Sequence, residues 1–130
     1  MKFRFIIISV IISCILMAAP VDLNKAQRVA GNIYVERSNM GTMDGFNLRS
    51  VDIIDENAVN LIYVFQLEPQ GFILVSGDDR IQPMLAYSFE SAFIMEDMPS
   101  NVSWMMNAYK GMISSMIESD EIATEAVNAK

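Results

Sequence analysis

The run from Asn60 to Ser76 constrains the fold more than any other stretch of the chain. From Asn60 to Leu67 successive side chains alternate, with Leu61, Tyr63, Phe65 and Leu67 on one face and Ile62, Val64 and Gln66 on the other. Glu68-Pro69-Gln70-Gly71 then reads as a tight hairpin turn, because proline presets the first turn angle and glycine accepts a positive one. Phe72 to Ser76 is predicted to return as the partner strand. Both strands are apolar on both faces, whereas a sheet wetted on one side shows a cleaner apolar–polar alternation. Something must therefore pack on each face.

The flanking sequence offers one helix on either side. From Asp22 onward, Leu23, Ala26, Val29, Ala30, Ile33 and Tyr34 recur at three- and four-residue steps, with Asp22 suited to cap the helix they define. Gly31 weakens that helix, and the turn-rich Asn39 to Gly45 ends it. Farther on, Val102, Met105, Met106, Tyr109, Met112, Ile113, Met116 and Ile117 trace a longer helical stripe, preceded by two capping types, Ser100 and Asn101. Core filling at helical spacing is the expected role of Met105, Met112 and Met116. Phe46 to Leu48 with Val51 to Ile54 suggests one more strand, turning at Asp55-Glu56-Asn57. Met84 to Phe89 suggests another, after a turn at Gly77 to Arg80. The expected fold class is α+β, an antiparallel sheet of about four strands flanked by an N-terminal and a C-terminal helix.

The N-terminus has the form of an address. Met1-Lys2-Phe3-Arg4 is basic and Phe5 to Met17 is almost unbroken apolar sequence. Thirteen helical residues reach only about 20 Å, short of a bilayer core of about 30 Å. Residues 1–19 are expected to be a secretory signal peptide, cut near Ala18-Ala19, with export to the periplasm or the medium. Ile11-Ile12-Ser13-Cys14 also fits a lipoprotein signal, in which Cys14 would be acylated and the protein anchored at the cell envelope. Against that, Ile15-Leu16-Met17 stays apolar after the cysteine. A membrane partner is expected only if Cys14 is acylated. The remainder divides into a domain at residues 20–118 and a fraying helix or polar tail at 119–130.

Composition excludes several kinds of chemistry. The chain has 130 residues, one domain's worth, and no histidine, which removes Ser-His-Asp triads, Cys-His dyads and histidine-bound zinc. A single cysteine rules out a disulfide framework within the chain and a multi-cysteine metal site. Nine basic residues stand against 16 acidic ones, a formal charge of -7, so nucleic acid is not the expected partner. Loss of the leader would remove Lys2 and Arg4 and no acid, making the balance more negative still. The carboxylates lie at no catalytic spacing. No cofactor or metal is expected, and no enzymatic activity.

Two polar or amphipathic features invite a closer reading. Ser76-Gly77-Asp78-Asp79-Arg80 could present paired aspartates to a hard cation, but calcium takes about six to eight oxygens. A turn whose aspartates bond backbone amides, with Arg80 pairing locally, is the expected role. Trp104 lies one position off the stripe of the last helix, and is either an exposed anchor for a partner or a cover for a sheet edge. Asn101-Val102-Ser103 matches a glycosylation triplet, incidental behind a bacterial-type leader.

One long stretch says more. Leu61-Ile62-Tyr63-Val64-Phe65-Gln66-Leu67, then Gln70-Gly71-Phe72-Ile73-Leu74-Val75-Ser76-Gly77-Asp78-Asp79-Arg80, then Met84-Leu85-Ala86-Tyr87-Ser88, resembles the prodomain of the streptopain family of cysteine peptidases. The likeness covers roughly residues 21 to 117 and includes the helix led by Asn101. A streptopain-type zymogen continues into a catalytic domain with a nucleophilic cysteine and a histidine, neither of which follows here. The chain is therefore similar to the free-standing streptopain inhibitors. The resemblance implies non-covalent inhibition of a papain-like, streptopain-type cysteine peptidase by occlusion of its active-site cleft. It places the peptidase contact on Met98, Pro99, Ser100 and Asn101, with Trp104 added as an anchor and Asn101 best placed to enter the cleft. An in-trans folding assistant for such a peptidase, a structural surface domain without a peptidase partner, and a relic of a truncated proenzyme gene are the alternatives.

Overall fold

The computed structural model describes residues 20–39 and 41–128. Cys14 and the leader lie outside the described residues. The α+β expectation holds: α1 spans Leu23–Arg37, β1 Leu48–Glu56, β2 Val59–Leu67, β3 Phe72–Ser76, β4 Met84–Ser88 and α2 Ser100–Asn128. The strands form one antiparallel meander in the order β1-β2-β3-β4. Of the fraying helix or tail expected from Ser119 onward, the structure has the helix: α2 continues to Asn128.

The two faces of the central hairpin are covered as its composition demands. Tyr63, Phe65, Leu67, Ile73 and Val75 pack with Ala26, Ala30, Ile33 and Tyr34 of α1. Ile62, Val64 and Leu74 pack with Met106 and Ile113 of α2. Each large apolar side chain taken fully out of water contributes about 1.5–3 kcal/mol, and most of those nearly inaccessible here come from β2 and β3. The hairpin is the core and the helices are its covers.

Three details depart from the alternation read above. Leu61 joins the α2 side with Ile62 rather than the α1 side with Tyr63. Ile54 pairs with Ile62 and Asp55 with Asn60, so Leu61 is the unpaired residue of a β-bulge and its side chain changes face. Strand β1 runs on through Asp55 and Glu56, and the reversal falls at Asn57-Ala58, with φ values of 51° and 62°. Two left-handed residues between the paired Glu56 and Val59 make the primed turn that matches strand twist. Met112 and Met116 are exposed, contrary to the core-filling role expected of them. An α-helix turns about 100° per residue, and α2 meets the sheet along the line of Met106 and Ile113, which leaves Met112 about a quarter-turn away. Met105 does pack against that core. Leu23, in the first turn of α1, is also exposed.

The N-terminal end of the domain is fastened to the sheet. Val21 is buried, its N–H donates to the Gly77 carbonyl at 3.0 Å, and its carbonyl accepts from the Tyr63 hydroxyl at 2.6 Å. Gly77 lies so close to β2 that a Cβ there would overlap the Asn60 carbonyl oxygen. Asp22 caps α1, accepting from the Lys25 N–H at 2.7 Å.

Candidate functional site

The segment joining β4 to α2 carries Met98 and Pro99 and leads into the first turns of α2, which hold Ser100, Asn101 and Trp104; its course is set at Phe93. Gln66, on the α2 face of β2, is buried; its Nε2 donates to the Phe93 carbonyl at 2.7 Å and its Oε1 accepts the Phe93 N–H at 3.0 Å. The Phe93 ring is buried and meets Phe72 edge-on, with centroids 5.1 Å apart. Beyond Phe93 the chain surfaces: Ile94 is exposed, Met98 tucks partly into the α2-side core, and Pro99, Ser100 and Asn101 are exposed. Glu90, Glu96 and Asp97 make the segment acidic, and no basic residue lies between 90 and 101.

The helix starts one residue earlier than its capping types suggested. The Ser103 N–H donates to the Pro99 carbonyl at 2.9 Å, which puts Pro99 in the cap position and Ser100 and Asn101 inside the first turn. Neither Ser100 nor Asn101 caps the helix. Proline holds φ near the helical value, so it pre-forms the start without a capping side chain. Asn101 is exposed and its side chain has no hydrogen-bond partner among the described residues. Trp104, three residues on, is its neighbour on the helix surface and is 74% exposed, so it is no cover for a sheet edge.

The structure thus gathers Pro99, Ser100, Asn101 and Trp104 on one outward surface, with Met98 serving partly as an anchor beneath them. Beside them a shallow groove of about 260 Å³ is lined by Phe72, Phe93, Ile94, Pro99, Val102 and Met105. The surface offers shape, one unengaged amide and an exposed indole.

The aspartate cluster has a different role. Asp78 is buried; its Oδ1 accepts from the Arg80 backbone N–H and from Nε at 2.9 Å each, and its Oδ2 from an Arg80 guanidinium nitrogen at 2.6 Å. Those hydrogen bonds hold its carboxyl below the ordinary aspartate range, although burial pushes the other way. The Ser76 hydroxyl accepts the Asp78 N–H and donates to the Asp78 carbonyl, and Asp79 faces Lys25 at 3.6 Å. This is the locally satisfied turn expected of it, and the isolated bridge of Pro20 to Asp78 ties it to the N-terminus.

Reasoning from sequence missed Gln66. Its signal was a lone amide on a face otherwise built from Ile62 and Val64, a group that burial permits only with partners for both its donor and its acceptor.

Comparison with known proteins bears on what binds this surface. A family profile described as Spi protease inhibitor matches residues 18–113, which take in α1, the sheet and α2 as far as Ile113. The thiol protease/hemagglutinin PrtT of Porphyromonas gingivalis is 30% identical over 116 residues, which cover 85% of this chain. The chain matches 13% of that relative's length. No solved structure matches. With three-quarters of its length inside the profile, including α1, the whole sheet and the first half of α2, the chain belongs to the Spi protease inhibitor family, whose domains are inhibitors and not enzymes.

Proposed function

We propose that the protein is an exported inhibitor of a papain-like, streptopain-type cysteine peptidase, which it blocks by occupying the active-site cleft without covalent chemistry. The observation that carries this reading is the exposed first turn of α2, where the Asn101 side chain has no hydrogen-bond partner among the described residues and Trp104 stands beside it. A polar amide free of internal bonds and an exposed indole are suited to contacts made only on association. The relative supports this class of target: PrtT, part of which this chain resembles, is named a thiol protease. The loop, the helix face and the groove beside them can contribute to a standard interface of about 1,600 Å², enough for tight binding. Export rests on the apolar leader at Phe5 to Met17.

Titration of the purified protein into a mature streptopain-type peptidase, with papain in parallel, tests the proposal. The expected result is stoichiometric loss of activity for the first enzyme and none for papain. No loss and no binding would overturn the reading. Because Asn101 contributes no hydrogen bond to the fold, Asn101→Ala should leave the melting temperature nearly unchanged while weakening inhibition. The expected loss is of the hot-spot order, about 2 kcal/mol or roughly 30-fold.

A further inference from the structure

We infer that Gln66 is a positioning residue for inhibition: its buried amide clamps the backbone of Phe93 and so sets the path of the loop that delivers Pro99, Asn101 and Trp104. The inference rests on the inhibitory role proposed above and adds to it a device outside the contact surface.

The geometry is that of a strand pair compressed into one side chain. Within a sheet a neighbouring strand satisfies a residue by taking its N–H and giving to its carbonyl. Gln66 does both to Phe93, across 27 residues, with bonds of 2.7 and 3.0 Å. Among the described residues these are the loop's long-range hydrogen bonds between Ser88 and Pro99; its others are local, the Glu90 N–H donating to the Ser88 hydroxyl and the Ser88 and Ser91 hydroxyls pairing. Without the clamp, the segment would be held by side-chain packing alone, Phe89 on the α1-side core and Phe93, Met95 and Met98 on the α2-side core. With it, the backbone itself is pinned at Phe93. Each residue released adds backbone freedom that binding would have to remove again. Phe93 also walls the groove beside Asn101, so the same clamp keeps that wall upright.

A purely structural reading would explain Gln66 as a plug for two backbone groups. That role would be served wherever the loop ran, and it predicts effects on stability alone. The positioning role predicts an effect on association as well, because a released loop must be ordered at the encounter.

The test compares wild type, Gln66→Met, Gln66→Ser and Asn101→Ala by inhibition kinetics on a streptopain-type peptidase, by melting temperature and by amide hydrogen exchange. Met removes both bonds at similar length; Ser removes them and leaves room for water to reach the Phe93 N–H and carbonyl, a milder variant should Met unfold the chain. In wild type the Phe93 amide should be as protected as those of β2, and rapid exchange there would overturn the clamp. In the Gln66 variants exchange should rise over residues 89–99 while β2 and β3 stay protected. Inhibition should weaken at least tenfold, chiefly through slower association, whereas Asn101→Ala should act chiefly on dissociation. Released loop amides with unchanged inhibition would overturn the positioning role and leave the inhibitory role standing, provided Asn101→Ala is impaired. Loss of inhibition that only tracks the unfolded fraction would overturn it too. A wild-type protein that fails to inhibit overturns both.

Discussion

Removing one oxygen atom tests how the N-terminal segment is held. The Tyr63 hydroxyl lies in the core, donates to the Val21 carbonyl at 2.6 Å, and accepts from Asn60 Nδ2 at 3.3 Å. Tyr63→Phe keeps the ring and its packing against Phe65, and leaves the buried Val21 carbonyl without that donor. Asn60 is exposed and regains water, so its share is small. An orphaned buried acceptor costs about 1–3 kcal/mol, which makes about 2 kcal/mol the expected destabilisation. For a domain of about 100 residues, at roughly 4–5 °C per kcal/mol, that is a fall of roughly 8–10 °C in melting temperature. Hydrogen exchange localises the effect. The Val21 amide, bonded to Gly77, should lose protection, while Val64 in mid-strand should keep it apart from the global loss. A melting temperature within about 1 °C of wild type would refute the argument, because a desolvated carbonyl cannot lose its donor without cost. So would a loss of protection spread evenly over the sheet.

Other consequences follow from particular residues. Ala58 sits at φ 62°, where a Cβ costs about 1–2 kcal/mol, and glycine gives back about half of the gain as chain entropy. Ala58→Gly should therefore raise stability by about 0.5–1 kcal/mol in a denaturant titration; a destabilised variant would refute the left-handed turn. Asp78 has its folded-state pKa lowered by the hydrogen bonds from Arg80, so the stability it contributes is present above the unfolded value of about 3.9 and is lost as pH falls through the folded value. Asp78→Asn should then be less stable than wild type at pH 7, with the gap narrowing below about pH 4; parallel stability curves would refute it. Finally, the chain carries a charge of -7 and its contact loop holds three acids and no base. Association with the proposed target peptidase should slow as salt rises, as steering of this acidic loop toward a basic cleft rim requires. A flat salt series would remove electrostatic steering from the account.

What the sequence disclosed and what it hid divide along a physical line. Burial of a whole face is written redundantly, in many side chains at once, so the hairpin from Asn60 to Ser76 announced both its partner strand and its two covers. Choices that turn on one residue are not. Leucine is equally at home on either face, so nothing about Leu61 reveals the bulge that moves it; the pairing of Asp55 with Asn60 decides that. Asn57-Ala58 hides a primed turn because alanine occupies a position where glycine would have signalled it. Met112 and Met116 fit an apolar stripe, yet only the line along which α2 touches the sheet determines which methionines are covered. The candidate site follows the same rule. The adjacency of Asn101 and Trp104 is fixed by helical spacing and was legible. Whether Asn101 is spent on its own helix depended on where that helix begins, a matter of one residue. Ser100, Asn101 and Pro99 are all credible at a helix start, and the hydrogen bond from Ser103 to the Pro99 carbonyl settles the order. With proline in the cap position the asparagine is released from any duty to the fold. That release makes its substitution informative: a residue that stabilises nothing at home can lose function only by losing a contact with something else.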